Sequence, residues 1–147
     1  MFGRHVTLTA LLDYRRGNQT WDRTGMLRCD FQNCRETQDP TAPLDLQAAA
    51  VASRLAGSFN SLAGFVSDAS FMRVREIALT WRIPPAGRHY LGVDADVTFA
   101  GRNLAMWTNY RGLDPEINFQ PPDVLLRQEF FRMPLPREFV VRLDIRP

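Results

Sequence analysis

Lysine is absent from this chain of 147 residues, and all eighteen basic side chains are arginine. The arginines are scattered and the formal net charge is only +2, so no basic block exists to bind nucleic acid. Long apolar runs are missing too: no stretch approaches the ~18 consecutive apolar residues that a membrane-spanning helix requires. Met1 to Arg16 lacks the apolar core of a signal peptide and alternates instead. There are two cysteines, and the two histidines, His5 and His89, lie in distant segments, so no four-ligand zinc site is spelled out. A glycine-rich phosphate loop, a nucleophile elbow and a Cys/His couple are lacking as well, which predicts neither an enzyme nor a cofactor.

What the chain does have is alternation with a period of two. Val6, Leu8, Ala10, Leu12 and Tyr14 point one way and His5, Thr7, Thr9 and Asp13 the other. Ile77, Leu79, Trp81 and Ile83 alternate with Glu76, Ala78, Thr80 and Arg82 until Pro84 and Pro85 stop the run. Leu91, Val93, Ala95, Val97 and Phe99 alternate with Gly92, Asp94, Asp96, Thr98 and Ala100; Phe139, Val141, Leu143 and Ile145 lie opposite Glu138, Val140, Arg142, Asp144 and Arg146. The pattern predicts an all-β chain with strands over about 4–14, 70–83, 90–102 and 137–146. The connections alternate in length: about fifty residues, a short turn through Ala86, Gly87 and Arg88, then about thirty. Within the first, the alanine-rich 45–57 opens on Asp45 and closes on Gly57, predicting a short helix.

Strands with one apolar and one charged face admit two architectures. In a soluble sandwich the apolar faces pack on each other; in an outer-membrane barrel they meet lipid, and short turns at one end alternate with long loops at the other. The long–short–long order favours the barrel. Aromatics fall near both strand ends, with Tyr14, Trp21, Phe71, Trp107 and Tyr110 towards the long loops and Trp81, Tyr90 and Phe139 towards the short turn, as two interfacial girdles would. Four strands cannot close a barrel, since the smallest need about eight. The barrel reading therefore makes the chain a part of a larger barrel.

Four segments carry a family resemblance. "SDASFMRVREIALTWRIP" (67–84), "GRNLAMWTNYRGLDPEIN" (101–118), "MPLPREFVVRLDI" (133–145) and "LTALLDYRRGN" (8–18) resemble, in the same order, the last barrel strands of SusC/RagA-type TonB-linked outer-membrane proteins. The resemblance implies that residues 1–147 are a C-terminal piece of a receptor barrel of about 22 strands, with the plug domain absent from it. It implies a TonB-dependent transporter for uptake of glycans or peptides in the bacterial outer membrane. The implied partners are the rest of the barrel and plug, a SusD-like surface lipoprotein, outer-membrane lipid, and the TonB complex through the missing N-terminal part. The alternative is a small secreted β-sandwich acting as a binding or adhesion module, whose long loops would themselves be strands covering the apolar faces.

On the barrel reading, Asn103, Trp107, Tyr110, Asp114 and Glu116 belong to an extracellular loop or its rim, where packing is favoured over substrate contact, and Asp114 before Pro115 starts a turn. Glu76, Arg82, Asp94, Asp96, Arg142 and Asp144, together with Arg73 and Arg75, face the lumen and pair across strands. Asp94 and Asp96 share a face and could be taken for a glycosidase pair, but a solvated face is the commoner reading. Cys29 and Cys34, in "CDFQNC", would form a disulfide in an extracellular loop; a metal pair or two free thiols are the other readings.

Overall fold

The alternating segments are strands. The computed structural model describes residues 5–57, 62, 64–84, 92–121 and 124–146. The element order is β1 (Val6–Arg15), β2 (Gln19–Asp22), α1 (Arg23–Asp30), α2 (Arg35–Gln38), α3 (Leu44–Ala56), β3 (Val66–Asp68), β4 (Phe71–Arg82), β5 (Asp94–Thr108), β6 (Gln128–Glu129) and β7 (Glu138–Arg146). The described chain is thus mainly sheet with three helices in its first long connection, where the sequence pattern foresaw one. The turn expected at Ala86, Gly87 and Arg88, and with it Tyr90, lies outside the described residues.

The chain divides into two compact units. Unit 1 comprises Met1–Tyr14, Met72–Trp107 and Leu135–Pro147 and holds the four long strands, in the order β1-β4-β5-β7. β5 and β7 run antiparallel, paired from Asp94↔Arg146 to Arg102↔Glu138. Opposite residues share a face, so Asp94, Asp96, Thr98 and Arg102 stand with Arg146, Asp144, Arg142 and Glu138, while Ala95, Val97 and Phe99 stand with Ile145, Leu143 and Val141. The Thr80 and Thr98 hydroxyls, 3.0 Å apart, the Arg102–Glu76 ion pair and the Arg82–Asp96 pair put Glu76, Thr80 and Arg82 of β4 on the charged face. Ile77, Leu79 and Trp81 then fall on the apolar one. That apolar face is the exposed one, from 42% at Ile77 to 81% at Phe139.

β5 runs to Thr108, six residues beyond the expected end at 102. The register with β7 stops at Arg102, and Asn103 adopts φ 52°, a left-handed conformation that asparagine tolerates. Its side-chain amide donates to the Pro136 carbonyl at 3.1 Å. The interrupted alternation marks this local break, after which the strand resumes.

Unit 2, Arg15–Phe71 with Thr108–Pro134, has a core of its own. Its small sheet has the order β3-β2-β6; β2 pairs antiparallel with β3 (Thr20↔Ser67) and parallel with β6 (Trp21↔Gln128, Asp22↔Glu129). Asp22 caps α1 by accepting the Gly25 N–H at 2.7 Å, and a Cβ at Gly25 would lie 2.2 Å from that carboxylate. Alanines let α3 lie close: Ala50 is buried against the Cys29–Cys34 pair, and Ser53 donates to Asp30 at 3.1 Å. Gly57, at φ 77°, ends the helix with its N–H on the Arg54 carbonyl at 3.3 Å. Trp21, Phe71 and Tyr110 are buried within this unit, which corrects their assignment to an interfacial girdle; Tyr14, Trp81, Trp107 and Phe139 are exposed.

Met26 on α1 is fully buried. Met26→Ala is expected to destabilise unit 2 by about 2–5 kcal/mol, read as a fall in the urea midpoint followed by near-ultraviolet circular dichroism. A midpoint equal to that of the parent would show that α1 does not anchor this core.

Candidate functional site

Two groups of side chains carry chemistry, one in each unit. In unit 1 the charged face of the long sheet is a lattice of ion pairs. Arg82 lies 3.5 Å from Asp96, which also receives Arg146; Arg102 lies 2.7 Å from Glu76, and Arg142 2.7 Å from Asp144. Arg75 reaches Asp13 at 2.8 Å. The residues read from sequence as one polar row, Glu76, Arg82, Asp94, Asp96, Arg142 and Asp144, therefore do share a face. Each carboxylate named in these pairs lies against a guanidinium, an arrangement that keeps a face hydrated.

In unit 2 the "YRGLDPE" segment folds inward. Asp114, Pro115 and Tyr110 are buried, Glu116 is half-buried, and Trp107 in unit 1 is exposed. Asp114 accepts the Glu116 N–H at 3.0 Å and its carbonyl takes the Ile117 N–H at 3.2 Å, which closes a turn with Pro115 at its second position. The fully buried Glu129 of β6 accepts the Leu113 N–H at 2.6 Å. Gly112 is required here, since a Cβ would lie 2.2 Å from the Glu129 carboxylate and 2.4 Å from the Tyr110 ring. Of the residues expected in the loop or its rim, Tyr110 and Asp114 are buried in the loop's interior.

This hub is crowded with negative charge. Burial holds the Asp22 carboxyl above its ordinary value; the Gly25 N–H acts against that, and the charge of Glu129, its ladder neighbour, adds to it. Burial, with the Asp22 and Glu129 charges, pushes the Tyr110 phenol well above its usual range and keeps it protonated. The exposed Asp39 behaves oppositely: the Thr41 hydroxyl and amide, with Arg35, lower it to about 2.

Beside the hub lies a pocket of about 210 Å³, wholly within unit 2. Its apolar side is built from the Cys29–Cys34 disulfide, Leu46, Ala49 and Phe65; its charged side from Asp22, Arg28, Arg35, Glu36 and Arg111. Cys29, Cys34 and Glu36 bring two sulfurs and a carboxylate within 4.8 Å of one another, but the sulfurs are bonded to each other and offer no thiolate to a metal. Sequence reasoning missed Asp22, Glu36, Arg111 and Glu129. Only Arg111 had a signal, its place inside "YRGLDPE"; the Asp22↔Glu129 pairing joins residues far apart along the chain in a two-residue strand that no periodicity reveals.

No protein-family model matches the chain, and no curated protein does. Among solved structures it is similar to chains of the RagAB peptide importer, in the "open-open" state at a TM-score of 0.64 and in the "closed-closed" state at 0.63, with 17% identity in both. Each match covers 97% of this chain and 16% of that chain. The likeness therefore takes in almost all of this chain, which spans a small part of the importer chain's length, and it establishes a shared fold.

Asp22→Asn keeps the side-chain oxygen that caps α1 and removes one of two adjacent negative charges. A carboxyl raised in the folded state contributes stability below its ordinary value of 3.8 and loses it as pH rises through the folded value. The variant is therefore expected to raise the unfolding midpoint at about pH 7.5 and to leave it unchanged at about pH 3. A lower midpoint at the higher pH would mean that the charged form is the stabilising one.

Proposed function

We propose that this chain is a C-terminal part of the β-barrel of a SusC-like TonB-dependent transporter in the bacterial outer membrane. The observation that carries the reading is the sheet of unit 1, whose charged face is paired internally while eight large apolar side chains, Ile77, Leu79, Trp81, Phe99, Phe139, Val141, Leu143 and Ile145, stand exposed on the other. A soluble protein rarely presents so large a contiguous apolar face. Lipid is the solvent it suits, and a water-filled lumen suits the opposite face, with Glu76, Arg82, Asp94, Asp96, Arg142 and Asp144 lining it. The order β1-β4-β5-β7 leaves β1 and β7 as edges, to be paired by further strands of the same barrel. The similarity to a peptide importer over 97% of the chain supports the family and favours peptides over glycans as cargo.

On this reading unit 2 is extracellular loop material, and Asn103 and Trp107 lie where β5 leaves the bilayer. A plug, the TonB complex and a SusD-like surface lipoprotein complete the transporter; this chain contributes wall and loops. The soluble sandwich requires the long connections to be strands that cover the apolar face, whereas the described residues there are helices and strands of two to four residues.

The test places the chain in detergent and then in vesicles. Trp81, as sole tryptophan after Trp21→Phe and Trp107→Phe, is expected to be quenched by brominated acyl chains and not by aqueous acrylamide; the reverse would sink the barrel reading. Leu143→Arg is expected to lower stability in vesicles by about 2–4 kcal/mol if that position lies at the bilayer midplane. An unchanged urea midpoint would mean that the row faces water.

A further inference from the structure

The charges around the pocket of unit 2 are not all spoken for. Arg28 donates to the Asn33 carbonyl at 3.3 Å, Arg35 pairs with Asp39 at 3.0 Å, and Asp22 caps α1. Arg111 has no hydrogen-bond or ion-pair partner among the described residues. The hydrogen-bond contact of the Glu36 carboxylate is with Cys29 Sγ at 3.9 Å, and a sulfur held in a disulfide has no proton to donate. One pocket therefore offers an uncompensated guanidinium and an uncompensated carboxylate, which do not neutralise each other, beside an apolar wall of disulfide, Leu46 and Phe65.

We infer that this pocket binds a free α-amino acid with an apolar side chain, as the zwitterion. The ligand's carboxylate meets Arg111 in a charge-assisted hydrogen bond, its ammonium meets Glu36, and its side chain lies on the apolar wall. Size agrees: about 210 Å³ is the share of roughly seven water molecules, room for a residue the size of leucine. A monocarboxylate or a phosphate would leave Glu36 facing only its own solvent shell, and a monoamine would leave Arg111 so. The inference uses residues of one unit and does not rest on the transporter reading. Failure of the lipid-quenching experiment would leave it standing, and its own failure would leave that reading standing.

The experiment is calorimetric titration of the full chain in detergent with L-leucine, 4-methylpentanoate, leucinamide and leucyl-leucine. Saturable binding of leucine is expected, with each single-charge analogue weaker by about tenfold or more. Arg111→Gln and Glu36→Gln should each weaken leucine by a similar factor, and Glu36→Gln should also erase the preference for leucine over 4-methylpentanoate. Circular dichroism checks that both variants keep their fold. Absence of saturable leucine binding, equal affinity for leucine and 4-methylpentanoate, or undiminished binding by both variants overturns the proposal. Tighter binding of leucyl-leucine than of leucine overturns it in favour of a peptide end.

Discussion

A strand that carries charge at every second position cannot bury both of its faces, and β5 and β7 obey that constraint along their shared register. The β5–β7 register sets Asp96 opposite Asp144 and Val97 opposite Leu143, so arginine must be supplied from the side: Arg82 and Arg146 to one carboxylate, Arg142 to the other. A slip of one residue would exchange the faces of an entire strand and set Ile145 among carboxylates. The register is thus fixed by charge as firmly as an ordinary core fixes it by packing. The cost falls on the other face, whose apolar side chains remain exposed, and the surroundings of the sheet have to answer for them.

Because the sheet holds no enclosed core, the long connections build one of their own. Unit 2 does so with little aliphatic mass: alanines on α3, one buried methionine, a disulfide closing a short ring, and a hub of polar side chains. Such a hub is stable only if its buried groups find partners. Glu129 finds the Leu113 N–H, Asp114 the Glu116 N–H, and Asn118 accepts from both Gln120 and Gln128. These bonds tie the segment after β5 to β6, and β6 in turn pairs with β2. The loops become a defined unit through side chain to backbone bonds more than through buried hydrocarbon.

The four long strands were legible because charge and apolarity alternate so regularly that no other element could place them, and α3 was legible from alanine content, Asp45 and Gly57. The end of β5 was not, because Asn103 interrupts the alternation while the backbone continues through a left-handed residue. α1 was hidden for a different reason: "RTGMLRCD" contains a glycine and few apolar residues, and it is held as a helix by its Asp22 cap and by Met26 and Cys29 in the core. Around the pocket, Glu36 reads in sequence as one more surface acid. Only the disulfide, by removing the S–H beside it, leaves its carboxylate without a donor.

Tyr110 and Asp114 were read as part of a loop or its rim, with packing favoured over substrate contact, and both are buried. Their burial gives the motif a part in placing its neighbours. Tyr110 is pinned in the interior and Gly112 is pressed between the Tyr110 ring and Glu129, so the backbone of Arg111 is held on both sides while its guanidinium alone projects. A long, flexible cation on an ordinary loop loses much of its binding energy to the entropy of being positioned. Here the neighbours have already met part of that cost during folding, which gives the buried acidic hub a functional consequence: it presents one arginine, at a fixed point, to the pocket beside it.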